Sequence, residues 1–273
     1  MIRDRKGFTL IELIVVTVLS SLVVGAVLGT LTANQRTYTA LNATIAGQQT
    51  TRMTVEVLFA ELREISAAGG DILAMTSDSL RVRLMRKFSV VCETNWTGQP
   101  QLTVIRLGIG SNAFATGDSV FVYADNDESD ENDDAWISAR ITAVDTSGVT
   151  CPQTGGPGDR LRFNGQTALF SADSVGLGAP VRSYKRYTFA TSTLLGDTYF
   201  SRREGSGDMV PISGPLRVSG GLQFVYRDAL GAVTAVDTLV RQIEVTIHTG
   251  SNVLNSLGGT VSDSITAWIY TRN

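Results

Sequence analysis

Between Leu13 and Gln35 the chain carries no charged residue, and nothing else in it narrows the folding options as much. Within this stretch Leu13–Leu31 is almost wholly apolar or small. At about 1.5 Å per residue a helix over that span reaches roughly 28 Å, the thickness of a bilayer's hydrocarbon. Arg3, Arg5 and Lys6 precede the run against a single Asp4. Cations placed there hold the amino end in the cytoplasm and send the chain beyond Arg36 to the other side. No small-x-small cleavage site lies beyond the run, so a secretory signal peptide fits poorly. One residue is out of keeping with a plain anchor. Glu12 stands at the mouth of the run between Ile11 and Leu13, where a carboxylate costs a few kcal/mol unless it is neutralised or reaches the interface.

No proline interrupts the chain from there to Gly69-Gly70, which predicts one helix from about Phe8 to about Ala68. Ser21, Gly25, Gly29 and Ala33 fall four apart, a small-residue stripe that lets helices approach closely, although ordinary membrane-helix composition gives the same pattern. Further on, Val55, Leu58, Leu62 and Ile65 recur at helical spacing while Glu56, Glu61, Arg63 and Glu64 take other faces, so the second half should pack on a sheet. After Gly70 the period becomes two. Strands are expected at Leu80–Leu84, Leu102–Leu107, Ser119–Tyr123, Trp136–Ile141, Tyr184–Phe189, Leu222–Tyr226, Ile243–Ile247 and Ile265–Tyr270. One long helix followed by antiparallel strands is an α+β arrangement, with the helix on a sheet face and a head that reads as one domain.

Composition removes several functional classes. Charged residues make up 18%, too few for a solvated disordered chain. A net charge of −3 gives the whole chain no reason to seek nucleic acid. A single histidine, His248, excludes any site needing two imidazoles, and it lies in a strand-like segment with no ligand-type neighbour. Gly108-Ile-Gly-Ser-Asn-Ala113 mimics a dinucleotide fingerprint, but a strand rather than a helix comes after it. No Gly-x-Ser-x-Gly elbow or Walker loop occurs, so no catalytic residue is named and no enzymatic activity is expected. Asn95-Trp-Thr97 matches a glycosylation sequon, a weak signal by itself.

Two sites remain in the head. Cys92 and Cys151, both on the non-cytoplasmic side by the charge rule, favour one disulfide, with two free buried thiols as the alternative. Asp125, Asp127, Asp130 and Asp133 crowd a turn between two expected strands and could ligate Ca²⁺. The turn lacks an EF-type pattern, with Asp130 where glycine and Trp136 where glutamate is wanted; a solvated acidic tip is the plainer reading. No other cofactor is called for.

The segment Gly7-Phe8-Thr9-Leu10-Ile11-Glu12, behind a short basic leader and ahead of the apolar run, resembles the type III signal of type IV pilins and pseudopilins. The resemblance implies that residues 1–7 are a leader, that a prepilin peptidase cuts between Gly7 and Phe8, and that Phe8 is N-methylated. It further implies that Glu12 pairs with the free amine of a neighbouring subunit. Residues 8–35 would then be the membrane and filament-core helix, 36–68 its amphipathic second half, and 69–273 the extracytoplasmic β-rich head. Less sharply, the strand layout and the closing Ile-Tyr-Thr-Arg-Asn273 resemble large minor pilins of the PilW type and J-type pseudopilins. The implied role is a structural subunit that primes or caps a type IV pilus or related secretion filament. Its partners would be other minor pilins or pseudopilins, the major pilin and an inner-membrane assembly platform, with no nucleic acid expected. The protein would be single-pass in a bacterial inner membrane, its head in the periplasm or outside the cell at a filament tip. The competing reading is a membrane-anchored binding domain or adhesin.

Overall fold

The computed structural model describes residues 9–97, 99–107, 113–125, 134–164, 174–251, 253–254 and 259–272. Helix α1 spans Leu10–Leu62, about 80 Å at 1.5 Å per residue. Thr9 caps it, its side-chain oxygen accepting from the Glu12 N–H at 3.3 Å. The helix stops six residues short of Ala68. Local propensity would carry it on, but Arg272 donates its N–H to the Ile65 carbonyl at 2.9 Å, and the Ser66 N–H is taken by the Asp71 carboxylate at 2.9 Å. Those tertiary bonds pull residues 65–71 out of the helical path.

Among the described residues α1 is succeeded by twelve strands: β1 Ile72–Met75, β2 Leu80–Asn95, β3 Gln101–Ile105, β4 Ser119–Ala124, β5 Ala135–Asp145, β6 Gly158–Phe163, β7 Pro180–Leu194, β8 Asp197–Glu204, β9 Val210–Leu216, β10 Leu222–Arg227, β11 Gln242–His248 and β12 Ser264–Tyr270. All eight expected strands are among them. The two long strands, β2 and β7, organise the head. They pair antiparallel from Leu80↔Phe189 to Val90↔Pro180. One half of this pair sits in a sheet ordered β1-β2-β7-β8-β9, and the other closes a ring ordered β2-β3-β6-β5-β4-β7. Strands β10-β11-β12 form a separate three-stranded sheet.

Two apolar cores result. The ring encloses Leu102, Val120, Val122, Leu161 and Phe163, each fully buried. Outside the ring, the end of α1 packs between the five-stranded and three-stranded sheets, with Leu58 and Leu62 against residues such as Phe189, Phe200, Ile243 and Ile247. The expected apolar stripe is in place: Leu58, Leu62 and Ile65 are buried, and Val55 packs against the same core. Thr50, Thr51 and Thr54 extend it as a polar seam. The Thr50 hydroxyl donates to the Gly214 carbonyl at 3.1 Å, the Thr51 hydroxyl to Asp263, and Thr54 bonds Ser213. At Gly47 the helix approaches the 249–263 connection so closely that a Cβ would lie 3.0 Å from the Thr249 hydroxyl.

Glu61 fastens the helix laterally. Its carboxylate meets Arg86 of β2 and Arg202 of β8, both at 2.9 Å, and the two guanidiniums lie over the Tyr187 ring at 4.5 and 5.0 Å. Removing one member of a fully buried ion group costs about 3–5 kcal/mol; solvent reaches these arginines, so Glu61→Ala is expected to cost about 2 kcal/mol. Urea denaturation of the detergent-solubilised chain checks this, and a loss under about 0.5 kcal/mol would show the clamp to be incidental.

Candidate functional site

The amino-terminal half of α1 has no partner within the described chain. Every residue from Leu10 to Leu31 is exposed, including Leu10, Ile11, Leu22 and Val23. Among the described residues this one helix is long and apolar enough to cross a membrane. So much uncovered apolar surface needs lipid or other helices against it. Gly7 and Phe8 lie outside the described residues. Glu12 is in the first helical turn, exposed, where a carboxylate complements the positive end of the helix dipole. Thr9 and Glu12 have capping-box spacing, and the bond from the Glu12 N–H to Thr9 supplies one half of it.

Gly25 and Gly29 are open on their outer side, a Cβ at either meeting nothing within 4 Å, and the Ser21 hydroxyl is turned back onto the Val18 carbonyl at 2.8 Å. At about 100° per residue, Ser21 projects roughly 180° from Glu12, and Gly25, Gly29 and Ala33 rotate onward from there. The helix therefore does not bring Glu12 and the small-residue stripe onto one face. A neighbour meeting the carboxylate and one meeting the stripe would approach from different sides.

In the head, a disulfide joins Cys92 of β2 to Cys151 in the β5–β6 connection, both buried. It fastens a ring strand to a loop at the ring's end. Asp125 comes directly after β4, whereas Asp127, Asp130 and Asp133 lie outside the described residues; among those described, no group of three or more His, Cys, Asp or Glu side chains could hold a metal. Residues 108–112 of the glycine-rich segment also lie outside them. His248 ends β11 opposite Ser264, its backbone N–H bonded to the Gly221 carbonyl. At the sequon, the Thr97 N–H and hydroxyl both donate to the Asn95 side-chain oxygen, at 2.9 and 2.8 Å.

One charged centre could not be read from the sequence. Asp71 is buried, with Arg182 at 3.4 Å. Burial raises its carboxyl above the ordinary range, opposed by the Ser66 N–H and by Arg182 and Arg83. A raised native value means that the folded protein binds this proton more readily than the unfolded chain. The ionised form thus subtracts from stability at neutral pH, and the deficit shrinks as pH falls through the native value. No local signal marks this residue, because its ion-pair partner Arg182 lies 111 residues away on β7.

Residues 2–28 match the family model for the prokaryotic N-terminal methylation motif. No curated protein and no solved structure matches the chain. The match covers the amino-terminal motif alone; with the long apolar helix and β-rich head behind that motif, the chain is similar to type IV pilin-like proteins that carry a prepilin signal.

Proposed function

We propose that this protein is a minor pilin-like structural subunit that primes or caps a type IV pilus or related filament, without chemistry of its own. The observation that carries this reading is the uncovered apolar half of α1, most of it within the methylation motif and holding Glu12 in its first turn. Such a helix suits two environments in succession, lipid before assembly and neighbouring helices afterwards. The β-rich head supports a partner-contacting role, and the basic leader supports a cytoplasmic amino end with the head on the far side. Other pilins, the prepilin peptidase and the assembly platform are the partners this implies.

Peptide mass spectrometry of the protein recovered from cells with an active prepilin peptidase tests the reading. The expected amino-terminal peptide starts at Phe8 and carries one added methyl group. A chain that keeps Met1–Gly7 under those conditions overturns it and favours an anchored receptor or adhesin.

A further inference from the structure

The connection between β10 and β11 presents apolar side chains to water. Between Asp228 and Val240 it holds no lysine or arginine, and Leu230, Val233, Val236 and Leu239 recur at every third position. All four are uncovered, Leu230 at 93% and Val233 at 69% exposure, and Ala229, Ala232 and Ala235 beside them are exposed as well. Single apolar side chains on a surface are ordinary; a run of them marks a contact surface without its partner.

The backbone under this run is satisfied from within. Asp228 Oδ1 accepts the N–H groups of Leu230 and Ala232 at 2.9 and 3.0 Å. The Thr234 N–H reaches the Tyr226 carbonyl at 2.9 Å, and the Val236 N–H the Thr234 hydroxyl at 3.1 Å. A 3-10 turn over Asp237–Leu239 occupies the Leu239 and Val240 N–H groups. A chain segment that leaves water must bring its own acceptors, and this loop does. The flanking cations are committed too. Arg227 donates twice to Glu244, at 3.0 and 2.8 Å, and Arg241 donates to the Thr238 and Val240 carbonyls.

Position excludes one membrane as the target. Just beyond β12, the Thr271 hydroxyl and N–H hold the Val240 and Arg241 carbonyls, and Arg272 bonds the Ile65 carbonyl just past α1. The loop is therefore rooted at the end of α1 remote from Leu10–Leu31, with about 45 Å of helix between Leu31 and Leu62. A bilayer spanned by the first half of α1 lies out of its reach.

We infer that the Ala229–Leu239 loop inserts shallowly into a second lipid bilayer facing the far end of the head. Its own side chains favour lipid over protein. Protein contact surfaces concentrate aromatic residues, Met and Arg, and their energetic centres are poor in Leu and Val, whereas the apolar side chains here are Leu, Val and Ala alone. The lack of cations points to zwitterionic lipid rather than attraction to anionic headgroups. Asp237, the one charged side chain within the loop, restricts entry to the boundary between headgroups and acyl chains. This goes beyond filament assembly and stands whether or not the chain enters a filament.

The test anchors the full chain through α1 in a phosphatidylcholine nanodisc and adds separate phosphatidylcholine vesicles with brominated acyl chains. Both native cysteines are bridged, so Ala235→Cys carries the single environment-sensitive label. Expected are a blue shift and vesicle-dependent quenching, half-saturated at about 1 mM lipid, roughly tenfold weaker than a single myristoyl chain. The response should persist at about 0.5 M salt, where charge attraction is screened. A label at Leu177→Cys should stay silent; Leu177 is a lone leucine, 60% exposed, on the ring beside Gly178, whose N–H bonds the Val91 carbonyl. Leu230→Asp with Val233→Asp, both at positions that contribute no core packing, should weaken the response at least about tenfold. No quenching at Ala235→Cys overturns the inference, as does equal quenching at Leu177→Cys or a requirement for anionic lipid. A blue shift that grows with protein concentration in the absence of vesicles also overturns it, and assigns the loop to a protein surface.

Discussion

Leu62→Ala is expected to destabilise the head by about 3–5 kcal/mol. Leu62 is the last residue of α1 and is fully buried where the helix end meets both sheets. Truncation removes transfer free energy and leaves a cavity that cannot readily collapse. The helix is held there by Glu61 on one side and by the Ile65–Arg272 bond just beyond, so its end cannot shift inward to refill the space. Ile45, one of the exposed residues of the same helix, provides the contrast. Ile45→Ala should change stability by no more than about 0.5 kcal/mol. Urea midpoints of the two variants decide the matter: similar small shifts would mean that the helix end is tethered to the head rather than built into its core.

Local pattern made much of this architecture legible, and long-range pairing made the rest invisible. Alternation along Ile243–Ile247 or Leu80–Leu84 is a property of a few adjacent residues, so those strands could be read directly. Strand β9 could not, because Pro211, Gly214 and Pro215 argue against a strand; it forms because prolines are tolerated at a sheet edge, where β9 lies. Strand β6 opens on Gly158-Asp159 and lacks a clean signal for the same local reason. Closure of the ring depends on β2 meeting β7, as in Ser89 against Val181, and no short window of sequence contains both. The helix end illustrates the converse failure, since nothing within Arg63–Ala68 forbids a helix and the tertiary bonds to Arg272 and Asp71 decide it. At the functional end the balance is different. The methylation motif, the apolar run and Glu12 are contiguous and stand out in the bare sequence. The Glu61 clamp does not, because Arg202 is 141 residues away.

Glu12→Ala should leave processing intact and abolish most incorporation into filaments. The side chain of Glu12 accepts nothing within the described chain; the cap bond at this turn uses its backbone N–H and the Thr9 oxygen, which alanine preserves. The helix therefore survives the substitution, and membrane insertion becomes easier once an acid is removed from the mouth of the run. What is lost, on the proposed reading, is the carboxylate that meets the methylated Phe8 amine of a neighbouring subunit. In a water-poor filament core, leaving that amine without its partner costs about 3–5 kcal/mol. At 1.4 kcal/mol per factor of ten this is a drop of at least about a hundredfold in incorporation. Glu12→Gln separates charge from hydrogen bonding: it keeps the shape and an acceptor, so it should recover little if the ion pair is what matters. Quantitative immunoblotting of sheared filaments against whole-membrane protein gives the ratio. Wild-type incorporation of Glu12→Ala would mean that the acid serves the precursor in the membrane, and that register in the filament is set by other contacts along α1.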